Sequence, residues 1–67
     1  MSAFEMLLSR NRGALERFIR YKVQNQYDAE DLIQETCLAA YQNYGKLVNE
    51  EAFKSWILGI ANHKCKD

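Results

Sequence analysis

The sequence lacks proline and long apolar runs, and it has little glycine, cysteine or histidine. Its 67 residues contain no proline, three glycines, two cysteines and one histidine. The absence of proline favours helices, because proline interrupts them. No apolar run is long enough to span a membrane, and Met1 to Leu8 is too short and carries Glu5, so it does not read as a leader. We therefore expect a helical, cytoplasmic protein.

The chain is long enough for one domain at most. A chain of about 60 residues buries only ~60% of the surface that it exposes when unfolded, so we expect modest stability. Hydrophobic residues make up 48% of the sequence and aromatic residues 12%, which argues for a folded domain and against disorder. No glycine or proline stops the last helix before Asp67. We therefore expect residues 1–67 to be a fragment of a longer protein.

The net charge is zero, from nine basic and nine acidic residues. Proteins that bind duplex DNA on their own usually carry a clear positive charge, so we expect weak affinity for a duplex. The charges are unevenly distributed, with acids in the middle of the chain and lysines near its end: Asp28, Glu30, Asp31 and Glu35, then Lys54, Lys64 and Lys66. The lysine-rich end suits phosphate, and the acidic middle suits a basic protein surface.

Neither a metal site nor an enzyme active site is expected. Cys37 falls on a predicted apolar stripe, and a cytosolic chain keeps Cys37 and Cys65 reduced. His63, Cys65 and Asp67 have liganding atoms, but their helical spacing sends Cys65 to another face and leaves too few ligands for zinc. The sequence has no nucleophile beside a plausible base and no glycine-rich phosphate loop. We expect no cofactor.

Apolar periodicity predicts helices throughout the chain. Ala3 to Ser9 is typical of a short apolar helix, and the run Arg10 to Gly13 predicts a turn or kink after it. A main helix follows from Ala14, in which Glu16 and Arg20 have the spacing of an i, i+4 ion pair. No strand pattern or internal repeat is visible. The prediction is an all-α fold, a compact bundle of three main helices with a short extra N-terminal helical turn.

The middle and last helices have predicted start and stop signals. The middle helix should run from Asp28, as N-cap, to about Tyr44, with Gly45 as a left-handed C-cap and Tyr27 with Leu32 as a hydrophobic staple. The last helix should start at an Asn49 cap, with Val48 and Phe53 as its staple. Its predicted buried residues are Phe53, Trp56, Ile57, Ile60 and Ala61. We expect Trp56 to be part of the core.

The middle helix should have two distinct faces. At about 100° per residue, one side collects the less polar residues: Ala29, Leu32, Ile33, Thr36, Cys37, Ala40 and Tyr44. The opposite side carries Asp31, Gln34, Glu35 and Leu38. First-turn acids complement the helix dipole and surface helices are polar in any case, so the acids alone have an ordinary structural explanation. A solvated face has no use for Leu38, and this residue indicates a docking surface.

Two segments carry a resemblance to a known family. The first is Asp28-Ala29-Glu30-Asp31-Leu32-Ile33-Gln34-Glu35-Thr36, and the second is Phe53-Lys54-Ser55-Trp56-Ile57-Leu58-Gly59-Ile60-Ala61. Together they resemble region 2 of bacterial RNA polymerase sigma factors, especially the extracytoplasmic-function (ECF) type, over roughly residues 4 to 67. The family often continues Ile-Ala with Arg-Asn, whereas this chain has Asn62-His63 and departs from the pattern there.

The resemblance implies a transcription initiation factor domain with two binding surfaces. In the family, the positions that match Asp31, Gln34, Glu35 and Leu38 bind the clamp coiled coil in the largest subunit of core RNA polymerase. The following loop and the last helix hold the melted non-template strand of the minus-ten promoter element. The DNA-binding candidates, which supply cationic and polar groups there, are Lys46, Asn49, Lys54, Asn62, His63 and Lys66.

The resemblance also implies more sequence and a further partner. In the family, the last helix continues and a linker leads to a helix-turn-helix domain, so residues 1–67 would be the region 2 domain at the N-terminus of a two-domain protein. An anti-sigma protein is a candidate partner, whereas membranes and small-molecule substrates are not. The alternative is a small helical interaction module, an adaptor or regulator, that does not bind DNA. A helix-turn-helix encoded after Asp67 would favour the sigma factor.

Overall fold

The fold consists of helices that pack around one core. The computed structural model describes residues 1–66, and within them the chain forms α1 (Ala3–Lys22), α2 (Gln26–Asn43) and α3 (Phe53–Cys65). Two short 3₁₀ turns, Tyr44–Lys46 and Glu50–Ala52, connect α2 to α3. No strand occurs in this part of the chain, which confirms the predicted all-α class. Nor is any helix among residues 1–66 long and apolar enough to cross a membrane.

Helix α1 is continuous, so the predicted turn or kink at Arg10 to Gly13 is wrong. These polar residues belong to a helical turn in which the Asn11 Nδ2 donates to the Leu7 carbonyl at 2.8 Å. Gly13 has no positive φ and remains helical. The predicted short N-terminal turn is therefore the first part of α1. Polar residues within a helix do not interrupt it when their side chains reach solvent or a backbone carbonyl of the same helix.

The predicted ion pair of α1 also has a different partner. Glu16 accepts from the Arg12 Nε at 2.9 Å, instead of pairing with Arg20. At the start of the helix, Ser2 and Glu5 form a capping box. The Glu5 backbone N–H donates to the Ser2 Oγ at 3.1 Å, and the Ser2 N–H donates to the Glu5 Oε1 at 3.0 Å. Both pairs are local contacts that stabilise the first half of α1.

Helix α2 begins earlier than the sequence predicts. Its N-cap is Asn25, not Asp28, because the Asn25 Oδ1 accepts from the N–H groups of Tyr27 and Asp28 at 3.0 and 3.1 Å. Tyr27 is 78% exposed, so the predicted staple with Leu32 does not form. At the other end, Gly45 has no positive φ and lies in the first 3₁₀ turn, so the left-handed C-cap is wrong as well.

The cap at Asn49 is confirmed, although its position is one turn before the α-helix proper. The Asn49 Oδ1 accepts from the Glu51 N–H at 2.9 Å and starts the second 3₁₀ turn, which leads directly into α3. Val48 is fully exposed, so its predicted staple with Phe53 is absent. The Asn49 side chain thus satisfies the Glu51 N–H, and the Asn49 carbonyl accepts from the Ala52 N–H at 2.9 Å.

The core joins all three helices. Its buried apolar residues are Phe4, Leu15, Ile19, Ala29, Ile33, Ala40, Phe53, Ile57 and Ala61. The Phe4 ring of α1 lies edge-on to Phe53 of α3 at 5.9 Å and to Tyr44 at 5.3 Å. The prediction for Trp56 and Ile60 holds only in part, because both are half-buried at the edge of this core. The packing leaves the opposite faces of α1 and α2 open to solvent.

Candidate functional site

The polar stripe of α2 lies on the surface, as its helical phase predicts. Asp31, Gln34, Glu35 and Leu38 are all exposed, and together they line a shallow depression of about 420 Å³. Leu38 exposes 57% of its surface although it is a large aliphatic residue. The four side chains thus share one open surface, which we call the α2 stripe.

The acids of the α2 stripe have no evident role in stabilising their own helix. Because α2 begins at Gln26, Asp28 is the acid of its first turn, and Asp31 and Glu35 lie farther along. The helix dipole acts mainly within the first turn, so it does not explain these two acids. Helix α2 has no lysine or arginine that could pair with them at i, i+4. No cation of α2 itself therefore neutralises either carboxylate.

Toward the start of α2, the stripe continues into a second depression. This one has a volume of about 520 Å³, and α2 contributes Asp28, Asp31, Leu32 and Glu35 to its lining. Lys64 and Cys65, at the end of α3, line its other side together with Val23. Acidic groups thus predominate here. Lys64 faces this acidic region, which sets it apart from the other lysines near the end of the chain.

Toward the end of α2, the stripe becomes apolar and aromatic. Leu38 and Tyr41 line a depression of about 630 Å³ together with Phe4 and Leu8 of α1. Tyr41 is 67% exposed, and its ring lies edge-on to Phe4 at 5.6 Å. The sequence-based assignment omitted Tyr41, although its i, i+3 spacing from Leu38 was a usable signal. Three depressions therefore form one surface that is acidic at one end and apolar at the other.

The DNA-binding candidates fall into two groups. Lys46, Asn49 and Lys54 are exposed near the start of α3. His63 and Lys66 are exposed and Asn62 is half-buried at the opposite end. At ~1.5 Å and ~100° per residue, Lys54 and Lys66 are about 18 Å apart along the axis and about 120° apart around it, so the six residues do not form one cluster. The candidates are therefore spread over the loop before α3 and both ends of that helix.

Hydrogen bonds already occupy part of the loop between α2 and α3. The Asn49 Oδ1 is the cap acceptor, which leaves its amide N–H groups for a ligand. The Tyr44 hydroxyl donates to the Glu50 Oε2 at 3.1 Å. Burial raises the pKa of the Tyr44 phenol above its ordinary value, and the contact with Glu50 raises it further. The hydrogen bond between Tyr44 and Glu50 therefore connects the two 3₁₀ turns across the loop.

Trp56 and Phe53 mainly support the last helix. The Phe53 side chain is buried, and the half-buried Trp56 ring packs against it with centroids 5.7 Å apart. Trp56 thus extends the edge of the core next to Phe53. Gly59 is exposed between the two groups of DNA-binding candidates, and no atom lies near the position that a Cβ would take there. No side chain of residues 1–66 therefore covers the helix backbone at Gly59, near the centre of the outer face of α3.

The cysteines are free thiols in the structure. Cys37 is half-buried, and the Arg12 Nη1 approaches its Sγ at 3.8 Å. Burial raises the pKa of the Cys37 thiol, and the nearby Arg12 opposes that shift only in part. Residues 1–66 contain no group of three potential ligands that could hold a metal ion. Of the weak metal candidate His63, Cys65 and Asp67, the last lies outside the described residues.

Known proteins provide an independent comparison. The family model described as Sigma-70 region 2 matches residues 7–67. A Haemophilus influenzae protein described as a probable RNA polymerase sigma factor is 33% identical over 63 residues, and the match covers 94% of this chain and 32% of that protein. The chain thus spans about a third of the length of this curated relative. No solved structure matches significantly.

Proposed function

This chain belongs to the sigma-70 family as a region 2 domain, and on that premise we propose that it binds core RNA polymerase and recognises melted promoter DNA. The α2 stripe would contact the clamp coiled coil of the largest subunit. The outer face of α3 and the loop before it would contact the non-template strand of the minus-ten element. The proposed role is that of a transcription initiation factor, and no catalytic step is part of it.

One observation carries the polymerase-binding proposal. Two acids of the α2 stripe, Asp31 and Glu35, lack both a dipole role and a cation on their own helix, and they lie beside the exposed Leu38. Such an arrangement suits a basic helical partner. Carboxylates accept paired hydrogen bonds from arginine, and an apolar contact that excludes water strengthens charged hydrogen bonds next to it.

A pull-down with core polymerase tests this proposal. The variant Gln34→Ala/Glu35→Ala should bind core polymerase at least tenfold more weakly, while its thermal stability should change by no more than about 0.5 kcal/mol, since both residues are exposed. The matched control is Gln26→Ala/Glu51→Ala, which removes the same residue types from exposed positions outside the α2 stripe. Equal binding by both folded variants would eliminate the α2 stripe as the polymerase contact.

The DNA-binding proposal depends on Lys46, Asn49, Lys54, Asn62, His63 and Lys66. These residues provide donors and positive charge in the loop before α3 and at both ends of α3, with the bare surface of Gly59 between Lys54 and Asn62 along the helix. Single-strand binding combines a cationic track with contacts to unstacked bases. The zero net charge of the chain weakens general attraction to a duplex, so a melted strand is the better ligand.

Amide chemical shifts can test this surface directly. Titration with a minus-ten-like single strand should shift amides of residues 46–49 and 54–66 and leave Asp31 to Leu38 unchanged. Replacing Lys46, Lys54 and Lys66 with glutamine should weaken binding. A scrambled strand of equal composition measures sequence preference. Shifts that cluster on the α2 stripe, or tighter binding to the matching duplex, would contradict the assignment.

Three finer features complete the proposal. The two motif segments support the ECF type. Core polymerase as the partner implies a cytoplasmic location. An anti-sigma protein is a candidate ligand of the α2 stripe and of the outer face of α3. The alternative function is a helical interaction module that does not bind DNA. The separation of the DNA-binding candidates into two groups favours that alternative. Polymerase binding without any single-strand binding in the full-length protein would support it.

A further inference from the structure

Helix α1 has an exposed basic face that the proposed function does not use. Arg10, Arg17 and Tyr21 are exposed and lie within about 40° of one another at ~100° per residue, and Arg20 lies at the edge of the same face. Tyr21 exposes 85% of its surface. We call Arg10, Arg17 and Tyr21 the α1 outer face. It points away from the packed side of α1, where Leu15 and Ile19 are buried.

The arginines of the α1 outer face have no carboxylate partner in the part of the chain that the structure describes. The ion pair found within residues 1–66 joins Arg12 to Glu16, on a different side of the helix. The other acid of α1, Glu5, is held in the capping box with Ser2. Arg10 and Arg17 are therefore free to bind an anion. Arg20 is less free, because it shares a depression with Glu16 and Glu30.

Gly13 explains how Arg17 lies on this face. A Cβ added at Gly13 would be 3.3 Å from the Arg17 Nη1, so the guanidinium lies over the glycine. Glycine within a helix costs about 1 kcal/mol relative to alanine, and Gly13 has no positive φ that would require it. The glycine thus makes room for a guanidinium that lies close to the helix surface.

The exposed ring next to two free arginines indicates the ligand. We propose that the α1 outer face is a second binding surface for single-stranded nucleic acid, with phosphates on Arg10 and Arg17 and a base stacked on Tyr21. Aromatic stacking combined with a cationic track is the usual chemistry of such binding. A duplex keeps its bases stacked inside, where Tyr21 cannot reach them.

Salt-dependent binding of a strand without promoter sequence tests this inference. The probe is a labelled oligothymidine of about 16 nucleotides, followed by fluorescence anisotropy. Arg10→Gln/Arg17→Gln should reduce affinity at least fivefold and make the slope of log K against log salt shallower by about 0.7 for each phosphate that is no longer neutralised. Tyr21→Ala should reduce affinity severalfold without changing the slope, and its circular dichroism should stay unchanged, because Tyr21 is exposed.

The matched control is Arg12→Gln/Lys22→Gln, which removes the same charge from the same helix at exposed positions away from the α1 outer face. It should retain the original slope. An unchanged slope in Arg10→Gln/Arg17→Gln, equal losses of affinity in the two double variants, or stronger binding to the matching duplex would overturn the inference. Replacement of Lys46, Lys54 and Lys66 separates it from the proposed function. Loss of minus-ten binding in that variant alone, with Arg10→Gln/Arg17→Gln unaffected, supports the α3 surface and eliminates the α1 outer face.

Discussion

Helices α1 and α2 are nearly equal in length and opposite in charge. Helix α1 carries five basic and two acidic side chains over 20 residues, whereas α2 carries four acidic and no basic ones over 18. The zero net charge of the chain is thus largely the balance of two oppositely charged helices. Net charge predicts little about partners when the two signs lie on different surfaces.

The two helices also differ in how their charges are used within the fold. In α1, Glu5 and Glu16 each have a local partner, while two outward arginines have none among the described residues. In α2, the acids of the stripe have no partner on the helix. Each helix therefore presents its majority charge to solvent, and the two surfaces suit ligands of opposite sign.

Removal of the ring that holds both helices to α3 should have the largest effect. Phe53 is 1% exposed and its ring contacts the rings of Phe4 and Tyr44. Phe53→Ala should cost about 3–5 kcal/mol in the free energy of unfolding, a large share of the stability of a small domain. Urea denaturation measures it. Trp56→Ala should cost clearly less, since Trp56 is half-buried, and equal costs would contradict this ranking.

A buried hydroxyl distinguishes the core face of α2. Thr36 is completely buried, and its Oγ1 has no hydrogen-bond partner among the described residues. Thr36→Val keeps the shape and removes the unpaired group, so it should stabilise the fold by about 1 kcal/mol. Thermal denaturation followed by circular dichroism measures the change. Thr36→Ser keeps the hydroxyl, loses a methyl group and should destabilise. A stability loss in Thr36→Val would indicate that the hydroxyl is hydrogen-bonded.

Helices α1 and α3 each contain one interior glycine, Gly13 and Gly59, whereas α2 contains none. Gly13→Ala and Gly59→Ala should each favour the helical state, by about 0.5–1 kcal/mol at most. The gain should be larger at Gly59, where the added Cβ meets open space, than at Gly13, where Arg17 must move by a few tenths of an ångström. Melting temperatures of the two variants provide the comparison. A larger gain at Gly13 would show that Arg17 does not rest on that glycine.

The N-caps of α1 and α2 should respond differently to pH, and this is the smallest of the four effects predicted for stability. Hydrogen bonds from the backbone and side chain of Ser2 lower the pKa of Glu5 below its ordinary value of 4.5, whereas the Asn25 cap of α2 has no titratable group. Because the folded-state pKa is depressed, the contribution of Glu5 is complete above the unfolded value and is lost as pH falls through the folded one.

Glu5→Gln tests this pH dependence, because glutamine can also close a capping box but does not titrate. Thermal unfolding of the original chain and of the variant should be compared from neutral pH to below the ordinary pKa of glutamate. The stability difference between the two proteins should shrink as pH falls. A difference that is constant over this range would show that the Glu5 carboxylate does not contribute through its charge.

Local sequence patterns predicted the phase of the helices better than their ends. Asp31, Gln34, Glu35 and Leu38 are all exposed as predicted, because the helical period alone determines their direction. The predicted start of α2 was wrong because Asn25 and Asp28 are both favourable N-cap residues, and residue type alone does not decide which of the two caps the helix. The assigned roles of the six DNA-binding candidates and of the four α2 stripe residues stay predictions.

The sequence by itself determined the all-α class, the outward direction of the α2 stripe and the opposite charges of α1 and α2. These properties depend on the spacing of residues within one helix. The tertiary structure alone decided that Leu38 and Tyr41 share a depression with Phe4 and Leu8, and that Lys64 faces the acids of α2. Such neighbours lie far apart in the sequence, so they are set by how the helices pack, which no local period encodes.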